Sequence, residues 1–290
     1  MDIDKIYNED CISGMQRIAA KSVDMIICDL PYGVLKKSNA AAKWDCVIPF
    51  DELWAQYTRI IKDNGAIVLF AQGMFTAKLM MSKPKLWRYN LVWNKNIPTG
   101  FLNANRMPLR CHEDICVFYK KLPVYHPQFS IGKSNHNRGK LKNLTNNCYG
   151  NFAMLTDAEI ATRKKRLKEK AHGRNVSTYD AKGLKRIDSA FLTKPGSDYK
   201  YPKSIISIDK IPPSATKHPT QKPVDLIRWL IRSYSETGDI ILDNCMGSGT
   251  TAIAALQEGR HFLGFEKDEA FFNICKKRIS VVQNILQFDN

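Results

Sequence analysis

The 290-residue sequence predicts an α/β fold, a mostly parallel sheet with helices on both faces. Three observations carry that expectation. Short β-branched runs recur without polar interruption, as in strands buried on both sides. Amphipathic helical stripes separate those runs. The alternation stops near residue 122 and resumes at Pro223, which reads as one domain carrying an insertion.

Taken in order, Val23–Cys28 is a buried strand. In Asp51–Ile61, Leu53, Trp54, Tyr57, Ile60 and Ile61 form a helical stripe, and Asp63-Asn64-Gly65 ends it. Ala66–Ala71 is the second buried strand, and a short helix from Gly73 to Met81 stops near Pro84. Leu91–Trp93 and Ile115–Tyr119 are two further strands. After the insertion, Leu226, Ile227, Leu230, Ile231 and Tyr234 mark a helix with Pro223 close to its first turn. Asp239–Asp243 is a strand, Thr250–Glu258 a helix closed by Gly259, His261–Phe265 a strand, and Glu269–Val282 a last helix.

The segment between the halves differs in composition. Residues 122–205 hold 17 Lys+Arg against 6 Asp+Glu, so about two thirds of the net charge of +16 lies in under a third of the chain. An uneven basic excess points to a polyanionic partner, nucleic acid first. A helix is expected over Thr156–Lys170; its run RKKRLKEK, with Arg163, Lys164, Lys165 and Arg166, is basic nearly all round and unsuited to a core. The expected division is 1–121, 122–205 and 206–290. No window approaches eighteen apolar residues, and the N-terminus MDIDKIYNEDC is too acidic for a secretory signal, so a cytoplasmic protein without a membrane span is expected. The eight cysteines include no CxxC pair and complete no zinc spacing; they read as structural thiols, with no metal site.

Two strand ends carry the chemistry. In ILDNCMGSGTT, a strand ends at Asp243, Gly247 and Gly249 fill the loop, and a helix starts at Thr250, with Glu266 ending the next strand. Such a loop lets backbone approach a ligand, and the acid is placed to grip a ribose. The loop lacks the Gly-Lys-Ser/Thr of a phosphate cradle and the third glycine of a dinucleotide site. S-adenosylmethionine satisfies the pattern; a plain tight connection between strand and helix is the alternative. At the other end, Asp29-Leu30-Pro31-Tyr32 closes the first buried strand. Pro31 turns the chain outward, and the Asp29 carboxylate and Leu30 carbonyl then offer two acceptors beside a flat ring. That set suits an exocyclic amine on an aromatic base, flipped out of its stack to reach the cleft. A common Asp-x-Pro turn is the alternative. The cofactor-type unit comes last in the chain and the reaction-type strand first, the reverse of the usual order.

DLPY resembles the (D/N/S)PPY box of the amino-methyltransferases of adenine N6 and cytosine N4, and DNCMGSGTT resembles their cofactor loop. HPTQKP, His218 to Pro223, is similar to the box preceding that loop in the permuted, beta-type DNA methyltransferases, and with NEDC and GFEKD the boxes follow that group's order. The resemblance covers roughly 1–121 and 200–282. It implies a circularly permuted, Rossmann-like methyltransferase sheet with an inserted target-recognition segment. It also implies S-adenosylmethionine as cofactor and double-stranded DNA as partner; dimers occur in the resembling group, so a homodimer is open to this chain, whose own sequence leaves its oligomeric state unread. Asp29, Leu30, Pro31 and Tyr32 are then the methyl-transfer site. Asn244, Cys245, Met246, Gly247, Ser248, Gly249 and Thr250 lie along the methionine part of the cofactor, and Glu266 takes the ribose. Asp10 and Cys11 lie near its adenine, and Thr220, Gln221 and Lys222 close over its carboxylate end. Leu30 stands where proline is usual, and Asn244-Cys245 where many relatives have Pro-Phe. Asp29 at the first position leans towards adenine. Beyond the boxes, Lys95 and Arg106, in an aromatic-rich stretch near a strand end, are candidate phosphate contacts. Competing readings are an N4-cytosine enzyme, a nicotinamide-type oxidoreductase, and an inactive DNA-binding module.

Overall fold

The computed structural model of the chain describes residues 1–34, 44–132 and 199–288. It divides into two compact units, Met1–Gln128 with Pro202–Asn290, and Phe129–Tyr201. The expected helix at 156–170, Cys148 and the basic residues Arg163, Lys164, Lys165 and Arg166 lie outside the described residues.

The first unit is built on an eight-stranded sheet. Its strands are β1 (Lys5–Tyr7), β2 (Val23–Asp29), β3 (Ile61–Ala71), β4 (Trp87–Thr99), β5 (Arg110–Phe118), β8 (Ile205–Ser207), β9 (Ile240–Asp243) and β10 (His261–Phe265). The strand order is β1-β10-β9-β2-β3-β5-β4-β8, and β5 alone runs antiparallel to its neighbours. In the second unit, β6 (Ser130–Ile131) pairs antiparallel with β7 (Tyr199–Lys200). The α/β class and the mostly parallel sheet are as the sequence predicts.

Period-two alternation builds two cores from one sheet. Met25 and Ile27, Val68 and Phe70, Leu91 and Trp93, and Ile115 and Val117 face one side. There they meet α4 (Val224–Tyr234), α5 (Thr250–Gln257) and α6 (Glu269–Phe288). Ile26 and Cys28, Ile67 and Leu69, and Cys116 and Phe118 face the other side. That side is covered by α1 (Cys11–Gln16), α2 (Phe50–Ile60) and α3 (Met74–Ser82). Fully burying one Leu or Ile contributes about 1.5–3 kcal/mol, so each face is a substantial share of stability.

Four elements depart from expectation. β1 and α1 carry too few residues for a pattern, yet β1 adds an edge strand beside β10, and the Asp10 carboxylate caps α1 by accepting from the Ile12 and Ser13 amides at 3.1 and 3.4 Å. Asp63-Asn64-Gly65 does not end a helix but lies within β3, where the pairing with β2 shifts register between Val23 and Met25. Gly65 is needed there for close approach: a Cβ would stand 2.6 Å from the Asp24 carbonyl oxygen. The described chain also supplies β8 at the sheet edge, short of any periodic signal.

Candidate active site

A cleft of about 1210 Å³ opens at the carboxyl ends of the central strands. It is lined by Asp29 to Tyr32, Asp10, Cys11, the Asn244–Ser248 loop, Thr250, Thr220 to Lys222 and Glu266. The structure therefore gathers into one depression almost every residue that the boxes single out.

The Asp29 end is a buried ion network. Asp29 continues the Met25–Ile27 face to the end of β2, so its carboxylate points to the side where the chain enters α4. Lys222 lies just before α4, and its Nζ is 2.5 Å from Asp29 Oδ2 and 3.2 Å from Glu113 Oε2. Lys95 Nζ is 3.1 Å from Glu113 Oε1. The Tyr32 hydroxyl donates to Asp29 Oδ1 at 2.8 Å, and its ring packs on Phe75 with centroids 4.9 Å apart. Two carboxylates and two ammoniums thus neutralise one another, each with a directed partner, the two acids keeping part of their side chains open to the cleft. The side chains of Lys95 and Lys222 are only 4% and 8% exposed.

The charges are not shared evenly. Burial pushes the Asp29 carboxyl above the usual range; Lys222 pulls it back, and the nearby Glu113 charge adds to the rise. Burial acts on Glu113 in the same sense, but Lys222 and Lys95 together outweigh it and hold that carboxyl below its usual range. Burial alone would lower the Lys222 ammonium, yet two carboxylates keep it firmly protonated. Asp29 has one cation and a like-charged neighbour, whereas Glu113 has two cations. Asp29 is the softer of the two acids.

This network corrects one expectation. Lys95 is no phosphate contact: alternation along LVWNK puts it on the buried face with Leu91 and Trp93, and its ammonium is taken by Glu113. Lys222 likewise spends its ammonium on Asp29 and Glu113. Leu30 is 4% exposed and packs into the core behind the site. Arg106 is exposed on the β4–β5 connection.

The opposite end is built by the glycine loop. Asp243 at the end of β9 accepts from the Cys245 amide at 3.0 Å and from the Thr251 hydroxyl at 2.6 Å, which pins both ends of the turn. Burial pushes that carboxyl up to about 6. Gly249 has φ +84°, and a Cβ there would meet Cys275 Sγ at 2.6 Å. Asn244 bonds the Tyr57 hydroxyl, and Met246 packs under Gly264, so their side chains turn inward. The Asn244 amide also contacts the thiols of Cys11 and Cys245 at 3.6 and 3.5 Å. Arg278 of α6, unsuspected from sequence, bonds the Ser248 carbonyl and, at 3.0 Å, its hydroxyl.

Glu266 closes this end. One oxygen accepts from the Gly247 amide at 2.7 Å and the other from the Asp268 amide at 2.9 Å. Burial pushes its carboxyl up to about 7, and no cation pairs with it among the described residues. Asn8 donates to the carbonyls of Glu266 and Lys267 at 2.8 and 3.2 Å, which ties NEDC to GFEKD across the two ends of the chain. His218, kept neutral by burial with a pKa of about 4, sits tilted against Trp44 and edge-on to Phe271 with ring centroids 5.0 and 4.1 Å apart on the same rim. An acid with lone pairs to spare and aromatic walls fit a nucleoside that carries a cationic tail.

The family model described as a DNA methylase, covering N6 and N4 enzymes, matches residues 23–277. The chain belongs to that family of amino-methyltransferases. It is 25% identical to the type II methyltransferase M.HinfI of Haemophilus influenzae, over 97% of this chain and 69% of that one. It is 26% identical to the type II methyltransferase M1.MboII of Moraxella bovis, over 94% and 95%. Among solved structures, the M1.HpyAVI–SAM complex superposes with a TM-score of 0.56 at 21% identity, over 95% of this chain and 98% of that one. The cytosine-N4-specific PvuII DNA methyltransferase superposes with a TM-score of 0.57 at 13% identity, over 97% and 91%. Both share the fold. No described helix is long and apolar enough to cross a membrane.

Proposed function

We propose that this chain methylates the exocyclic N6 amine of a flipped adenine in double-stranded DNA, with S-adenosylmethionine as donor. One observation carries the reading: Asp29 to Tyr32 line the same cleft as Glu266, Asp10, Cys11 and the Asn244–Ser248 loop. When bound, the cofactor supplies a methyl group on a sulfonium.

The rest is done by the chain's own groups. Glu266 and the Gly247 turn hold the ribose side, and Asp10 and Cys11 border the adenine. Asp29 uses two of its four lone-pair sites on Tyr32 and Lys222, which leaves room for one amine N–H. The Leu30 carbonyl takes the other. Accepting both N–H groups would free the amine's lone pair from the ring, which makes that nitrogen a nucleophile for the methyl group that the sulfonium would supply. The methylated amine then gives one proton to Asp29, whose raised pKa suits it as the acceptor. Tyr32 offers its ring to the base, a stacking contact worth about 1–3 kcal/mol.

The basic middle segment, with Arg163, Lys164, Lys165 and Arg166, is assigned to the DNA backbone on its charge. A cytosine N4 target is the second reading, favoured by the likeness to the PvuII enzyme. The test is S-adenosylmethionine with unmethylated duplex DNA, digested to nucleosides and read by mass spectrometry. N6-methyladenine is expected. N4-methylcytosine overturns the choice of base, and no methylated nucleoside overturns the DNA substrate.

A further inference from the structure

The connection between β4 and β5 leaves an apolar tip in solvent. The paired strands shift register between Asn94 and Thr99, and Thr99 faces Arg110 as the last pair. Beyond it, Gly100 at φ +92° turns the chain into a single 3-10 turn, Phe101–Asn103. Phe101 is 66% exposed, Leu102 wholly exposed at 101%, and Met107 half exposed at 51%. Apolar side chains grouped on a projecting turn signal a partner.

Charge and position say which partner. From residue 95 to 110 the sequence has three basic residues and no acid; Lys95 is buried against Glu113, and among the described residues neither Arg106 nor Arg110 makes an ion pair. Arg110 Nη1 donates to Gln72 Oε1 at 2.9 Å, and Gln72 in turn donates to the His112 carbonyl at 3.0 Å. Both Arg110 and Gln72 line the cleft that holds Asp29. A basic hairpin with an apolar tip therefore stands at the mouth through which a flipped base must pass. Pro98 and Pro108 flank the tip and limit its backbone freedom.

We propose that this hairpin is the wedge that opens the duplex. Phe101 and Leu102 enter the base stack as the target leaves it, and Arg106 holds a neighbouring phosphate. Apolar side chains inserted between base steps are a known means of unstacking, and the space left by an extruded base needs filling. The inference rests on the DNA reading given above.

The test uses the full chain, once sequencing of its methylated DNA has located the modified site. Leu102→Ala and Phe101→Ala/Leu102→Ala are compared with the parent on two duplexes. In one, the target base is paired normally; in the other it lies opposite an abasic position and is already loosened. The variants are expected to lose about tenfold or more on the paired duplex, where the target must still be unstacked. They should stay within about threefold of the parent on the loosened one, and keep its S-adenosylmethionine affinity. Leu102 makes no buried contact, so its truncation leaves folding intact. Equal losses on both duplexes, or none on either, overturn the wedge. So does a change from dimer to monomer in sedimentation, which would make the tip an interface between two copies. If the parent methylates neither duplex, the DNA reading fails and takes the wedge with it.

Discussion

Two acids end two parallel strands of one sheet, and they are set up in opposite ways. Asp29 on β2 has an ammonium at 2.5 Å and a phenol at 2.8 Å, whereas Glu266, one residue past β10, has only backbone amides among the described residues. Both carboxyls are pushed up by burial. Among the described residues, a fixed cation opposes the push at Asp29 and none does at Glu266. The difference suits their proposed tasks. An acid that receives a proton during reaction needs a partner that keeps it ionised beforehand. An acid that binds neutral hydroxyls is better left with open lone pairs, since a cation would compete for them.

Exchanging each acid separates the tasks. Asp29→Ala is expected to lower methyl transfer at least about a thousandfold, with S-adenosylmethionine affinity within a few-fold. Glu266→Ala should weaken cofactor binding by about ten- to a hundredfold and spare turnover at saturating cofactor. Calorimetry and single-turnover rates read the two effects apart. Similar losses in both quantities for both variants would erase the contrast.

The cation itself comes next. Lys222→Met leaves two buried carboxylates short of a partner, a defect that costs about 3–5 kcal/mol when a buried pair is broken. A clear fall in Tm is expected. Without Lys222 the Asp29 pKa rises further, so the acid limb of the kcat profile moves to higher pH. Glu113→Gln removes a negative charge that raises Asp29, so its limb moves to lower pH. Opposite shifts from neighbouring residues are the signature of the shared ammonium. Shifts in the same direction would mean that the network serves packing alone.

How legible this was from sequence follows element length and partner distance. The boxes were readable because each lies within a few residues: Asp29 to Tyr32, Asn244 to Thr250, His218 to Pro223. The buried strands declared themselves by composition. β1, at three residues, holds no period, and Gly65 passed for a turn residue because its close contact with Asp24 lies on another strand. The ion network was half visible. Glu113 shares parity with Ile115 and Val117, and Lys95 with Leu91 and Trp93, so alternation marks both as facing the core. What sequence lacks is that Lys222, 109 residues from Glu113, arrives on that same face. Arg278 was hidden for a similar reason, since its partner is the Ser248 backbone.

The smallest expected effect is the dependence of cofactor-site affinity on pH. A free carboxyl near 7 binds ribose hydroxyls only when ionised, so binding favours loss of its proton. Affinity should therefore be full above pH 8 and fall by up to about tenfold for each unit below 7. S-adenosylmethionine is a poor probe of this, because its own amino group titrates nearby. Methylthioadenosine keeps the adenine and ribose without that group. Its affinity should decline from pH 8 to 6 with uptake of one proton at Glu266, and the Glu266→Gln variant should be weaker and flat over the same range. A parent profile as flat as the variant's would mean that Glu266 stays ionised in the open cleft, and that the absence of a cation beside it has no consequence for binding.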